Sequence, residues 1–154
     1  MSDPAWIEQR MRTVQIIVLA LVLGVVMFTG VAVAMIVAGL MSSGGELFGP
    51  GFLGFVALVV AVLLVLAPLL RRRVLESGES PQDEDAVLDR WMTATVVGMA
   101  VREGAGLMGV ALALVSGSIP WTLIFGLASA AAMVLGWPRA EEVRERIRRI
   151  QAGA

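Results

Sequence analysis

The sequence predicts an all-α integral membrane protein with four transmembrane helices, both termini on the cytoplasmic side, and an amphipathic cytoplasmic helix at its C-terminal end. Three observations predict it. Hydrophobic residues make up 58% of the 154 and the mean hydropathy is +0.84, outside the range of a soluble domain. The apolar residues gather into four runs, approximately 14–40, 52–70, 93–115 and 119–136, close to or above the ~20 residues that cross a hydrocarbon core. The charges gather between them, in the N-terminal segment, the 71–90 loop and the 138–154 tail, with one exception inside the third run. Residues 1–154 therefore read as a single membrane domain.

Residues 1–12 are a short polar start in which Trp6 and Met11 suit an interfacial turn beside Arg10 and Arg12. Val14 to Leu40 spans about 40 Å as a helix, enough to demand tilt. Arg before an apolar stretch and Ala32-Val33-Ala34 imitate a signal peptide, but the run is too long for one and reads as a retained helix. Met41 to Gly51 is a Gly- and Ser-rich turn in which Pro50 breaks any helix. Phe52 to Leu70 follows, with Pro68 near its end, and Arg71-Arg72-Arg73 stop it. Within the polar loop, Ser80 and Pro81 form a helix start, so a surface helix is expected to run into the third span. The acidic residues there lack the ordered spacing of a calcium loop, and they read as a solvated face rather than a metal site.

The exception is Arg102-Glu103, counted from Trp91 to lie near the middle of the third span. Each charge costs on the order of 2.5–3.5 kcal/mol at the bilayer centre, against ~0.3–0.6 returned by each Leu or Val, so this helix needs partners. Adjacent residues point about 100° apart and cannot face one another. Arg102 shares a small-residue stripe with Thr95, Gly98, Ala105, Gly106, Gly109 and Ala113; Glu103 shares a bulkier face with Val96, Met99, Ala100, Leu107, Val110 and Leu114. The residues leave two uses open: an ion pair between Arg102 of one subunit and Glu103 of the next, or a proton or ion carried by Glu103.

Ser116 to Pro120 makes a tight turn into the fourth span, where Ala128, Ala132 and Gly136 recur every fourth residue. This stripe is expected to zip against Ala105, Gly109 and Ala113, with Trp121 and Trp137 anchoring the interfaces. In the tail, Val143, Ile147 and Ile150 share one face, an amphipathic helix lying on the membrane or against the 74–90 loop. Two Arg precede the first span, four lie between the second and third, and five follow the fourth, whereas 41–51 and 116–120 contain none. The positive-inside rule then puts both termini and the 71–90 loop in the cytoplasm. All 12 basic residues are Arg, and Cys, His, Tyr and Lys are absent. Disulfides, thiolate and His-based metal sites, Ser-His-Asp triads and Schiff bases are excluded, so no catalytic residue, metal or cofactor is expected. The mixed charges of the tail do not suit nucleic acid.

The stretch MAVREGAGLMGVALALV, preceded by a polar loop with Pro81-Gln82, resembles the second helix of the proteolipid (c) subunits of rotary ATPases. That resemblance implies a ring in which Glu103 carries a proton or sodium ion. It departs from those subunits in having two further helices, only Gly54 in the 52–70 run, and Arg102 beside the carboxylate. The Glu-Gly-x-x-Leu segment and the Pro-led charged tail also resemble small uncharacterised bacterial four-helix membrane proteins, which implies the inner (cytoplasmic) membrane of a bacterium. The expected function is a non-enzymatic membrane protein that assembles with itself and with lipid, as a ring, with Arg102 and Glu103 at or near the subunit contacts. The alternatives are a proteolipid-like ion-translocating subunit and an accessory subunit of a larger membrane complex.

Overall fold

The computed structural model of the protein describes residues 4–40, 50–76 and 84–153. They form five helices, α1 (Pro4–Val37), α2 (Pro50–Glu76), α3 (Glu84–Val115), α4 (Ile119–Leu135) and α5 (Ala140–Gly153), and no strand occurs among the described residues. The first three are long and apolar enough to cross a membrane. With 17 residues α4 is about 25 Å long, slightly short of a ~30 Å hydrocarbon core. Large apolar side chains such as Ile16, Phe28, Phe55, Leu58, Val65 and Leu127 point outward, as they do where the solvent is lipid.

Every other helix packs on α3, α1 also packs on α4, and α2 touches α4 only lightly. Small residues bring the backbones together. A Cβ at Gly109 would lie 2.6 Å from Phe125 Cγ, one at Gly106 would overlap Ser129, and one at Gly126 would overlap Thr29 of α1. The face that α4 turns inward is therefore Thr122, Phe125, Gly126, Ser129 and Met133, not the Ala128 stripe. Ala128 is exposed and Ala132 half-buried, because glycines of α3 supply the grooves and larger α4 side chains fill them. Ala105 and Ala113 are buried in a cluster with Val56 and Val60 of α2, Ala32 of α1, and Phe125.

The helix ends differ in detail from the sequence expectation. Pro50 opens α2 rather than breaking a helix, as its fixed φ allows at a first helical position. Arg71-Arg72-Arg73 do not stop α2, which continues to Glu76; Arg is a good helix former, and Arg72 Nε pairs with Glu76 four residues on at 2.7 Å. α3 is one continuous helix from Glu84; the expected start at Ser80-Pro81 and the 41–49 turn lie outside the described residues. Both α1 and α3 end in a 6→1, 5→2 hydrogen-bonded turn, closed by Leu40 N–H to Met35 O and by Ser118 N–H to Ala113 O. Gly39 and Gly117, each with φ +67°, occupy the left-handed position that such turns require.

Arg10 of α1 pairs with Asp89 of α3, and a Cβ at Gly24 would lie 3.6 Å from Glu103, so α1 and α3 run parallel in one register. That register gathers the starts of α1 and α3, the end of α2 and all of α5 at one charged end. There Met11, Val14, Leu88, Trp91, Met133 and Val143 form a buried cluster. Arg144 approaches Glu8 at 3.7 Å. The tail thus docks through Val143 on the protein's own end; the side chains of Trp6, Ile147 and Ile150 lie outside the described residues.

Close approach of α1 and α4 makes a test. Gly126→Leu is expected to lower stability in detergent by about 1–3 kcal/mol through overpacking against Thr29. Gly54→Leu, where a Cβ meets nothing within 4 Å, should leave the thermal midpoint nearly unchanged.

Candidate functional site

Arg102 and Glu103 are consecutive on α3, and the fold sends them to different places. The stripe that Arg102 shares with Thr95, Gly98, Ala105, Gly106, Gly109 and Ala113 is covered by α2 and α4 of the same chain, and all six companions are buried. Gly98 packs against Arg71: a Cβ there would be 3.3 Å from Arg71 Cβ. Arg102 lies four residues further on, about 6 Å along the axis. The pair is thus one turn to one and a half turns from the level where the triple arginine of α2 begins.

The guanidinium of Arg102 turns back toward the charged end, as long side chains on helices do. Its Nη1 lies 3.8 Å from Met99 Sδ, and it fills the space where Gly136 has no side chain. Gly136 caps the C-terminal end of α4, where unpaired carbonyls concentrate negative charge, so a cation is stabilised there. The backbone of the same residue is also tied to α4: Ser129 Oγ donates to Arg102 O at 2.7 Å. Arg102 is therefore held by its own α4.

Glu103 has no such support. It is half-buried in the seam between α1 and α3, next to Gly24, and no hydrogen bond or ion pair reaches it from any described residue. Around it the surface is smooth: Ala20 and Gly24 on α1 and Ala100 and Gly104 on α3, each pair four residues apart, are exposed. A carboxyl group beside two such pairs sits where another helix can approach closely.

A second polar group lies nearer the charged end. Arg71 Nη2 donates to Glu142 Oε2 at 2.6 Å, and Trp91 Nε1 points at the same oxygen from 3.5 Å, joining α2, α3 and α5. Sequence reasoning missed this group because Arg71 reads as part of a stop signal and Glu142 as part of a mixed-charge tail. Gly24 gave no signal either, since only the register of α1 on α3 brings it to Glu103. Among the described residues no group of His, Cys, Asp and Glu converges to hold a metal ion. Compared with known protein families, curated proteins and solved structures, the chain matches none.

The Arg71–Glu142 pair gives a prediction about the tail. Glu142→Ala should speed tryptic cleavage after Arg144 several-fold in the detergent-solubilised protein, and Glu141→Ala should not.

Proposed function

We propose that this is a non-enzymatic integral membrane protein that assembles with itself through the α1–α3 seam, with Glu103 at the contact. The observation that carries it is an unpartnered carboxyl group in an apolar surface, flanked by exposed Ala20, Gly24, Ala100 and Gly104. Left facing lipid, a charge costs on the order of 2.5–3.5 kcal/mol at the bilayer centre, so contact with protein is favoured over contact with hydrocarbon. Because Arg102 is engaged with Gly136 of its own chain, the contact falls to Glu103, with Arg102 one residue inside it. Two copies meeting at this seam bring two Glu103 carboxyl groups together, away from lipid. A patch that meets itself closes as a dimer; the ring expected from the sequence needs a second, different face of the same chain.

The arginine distribution supports a bacterial cytoplasmic membrane orientation with the charged end inside, which puts both termini and the α2–α3 connection in the cytoplasm. In this orientation α4 is a fourth, short span that ends at Gly136, and α5 caps the inner face. A lack of Cys, His, Tyr and Lys removes most nucleophiles and bases, which supports a non-enzymatic role.

One observation favours a second reading. The Arg102 guanidinium turns the other way, toward Met99 and Gly136, and leaves the Glu103 carboxyl group in the seam without a neighbouring cation among the described residues. On this reading Glu103 is a proton or sodium carrier.

The test is the native mass in mild detergent of the unaltered protein and of two variants. A discrete oligomer is expected, retained by Glu103→Gln, whose amides can still bond one another, and split by Glu103→Arg. A monomeric unaltered protein contradicts self-assembly. Reaction of Glu103 with a hydrophobic carbodiimide, promoted by acid and slowed by sodium ions, selects the carrier reading.

A further inference from the structure

Three buried side-chain polar atoms among the described residues have no hydrogen-bond partner: Arg71 Nε, Thr95 Oγ1 and Arg102 Nε. They belong to one place. Thr95, Gly98 and Arg102 stand at i, i+3 and i+7 on α3 and share one stripe. Gly98 packs on Cβ and Cδ of Arg71, and the two guanidinium groups lie within electrostatic reach of one another.

Thr95 is out of pattern. The hydroxyls of Thr13, Thr29, Thr93 and Thr122 each donate to the carbonyl four residues earlier, the usual solution for threonine inside a helix. Thr95, 1% exposed, does not. The charge is also out of balance, since Glu142 answers Arg71 and no described carboxylate lies within ion-pair distance of Arg102. Two cations, one carboxylate and one uncommitted hydroxyl thus meet between α2, α3 and the end of α4.

We propose that this space binds a phosphate-class oxyanion, held by Arg71, Arg102 and Thr95. A phosphodiester carries the single negative charge that closes the balance and several acceptor oxygens, and guanidinium N–H groups match that geometry. The Arg71 side chain is 25% exposed, so the space can be reached from outside. Basic pockets between membrane helices at the inner face take lipid phosphates in this way, and a free phosphate ion offers the same chemistry. This site faces α2 and α4, away from the α1–α3 seam, and does not depend on self-assembly.

The experiment measures ligand retention by native mass spectrometry and thermal stabilisation of the full chain in a neutral detergent. Its probes are phosphatidylglycerol, the matching diacylglycerol without phosphate, and inorganic phosphate. Phosphatidylglycerol is expected to bind and stabilise where diacylglycerol does not, with affinity reduced about tenfold or more in Arg71→Gln and in Arg102→Gln. Thr95→Val, which preserves shape, should also weaken binding and serves where an arginine variant fails to fold; Arg139→Gln, at an exposed position, should not. Inorganic phosphate acting alone at millimolar concentration assigns the site to the free ion, and phosphatidylglycerol acting alone assigns it to a headgroup. Equal binding of phosphatidylglycerol and diacylglycerol without any effect of phosphate, or undiminished binding in Thr95→Val together with the folded arginine variants, overturns the proposal.

Discussion

Two charged residues placed side by side on a membrane helix must face about 100° apart, and most of this structure follows from where each of them goes. Arg102 can be accommodated only on the inner stripe, where Gly98, Gly106 and Gly109 let α2 and α4 come close and Gly136 leaves room for the guanidinium. Burying Arg102 there fixes which face of α3 is the core. It follows that Glu103, one residue on, emerges at the edge of that core, in the seam with α1. The same α3 that carries the least apolar span is the helix on which all the others pack. A helix too polar to stand alone in lipid is thus placed where more of it is buried by protein than of α1 or α2.

Much of this was legible in the residues. Apolar runs of helical length, interrupted by glycine, proline and charge, mark the helices because in lipid only a helix satisfies its backbone hydrogen bonds within a single segment. The two faces of α3 were legible for the same reason, since a periodicity of 3.6 residues fixes which side chains share a side. Less legible was what each face meets. Small residues at four-residue spacing announce close approach without naming the partner, so Ala128 and Ala132 were expected against α3, whose grooves Phe125 and Ser129 fill. Depth was read by counting from Trp91, whereas the packing sets levels directly: Gly98 of α3 lies against Arg71 of α2, and Glu103 against Gly24 of α1. For α5 the apolar face with Val143 was legible, but not the choice between the membrane and the protein; Val143 is buried with Leu88 and Trp91.

The charged end and the seam divide the labour of the molecule. At the charged end, Arg10–Asp89, Arg71–Glu142 and the cluster around Trp91 bind all five helices together, largely through apolar contact because partly exposed ion pairs contribute little. In the seam, Glu103 lies at the outer face of α1 and α3 beside exposed glycine and alanine. A packed end and an unpartnered carboxyl group at the surface are the two features on which the proposed self-assembly rests.

The absence of native cysteine allows that contact to be located directly. Single cysteines at Gly104 and at Gly54, both positions where a Cβ meets nothing within 4 Å, would be oxidised in native membranes and resolved by non-reducing electrophoresis. The account predicts efficient cross-linked dimers from Gly104→Cys on α3 and almost none from Gly54→Cys on α2. Equal cross-linking at both, or none at Gly104, would contradict assembly through the Glu103 seam.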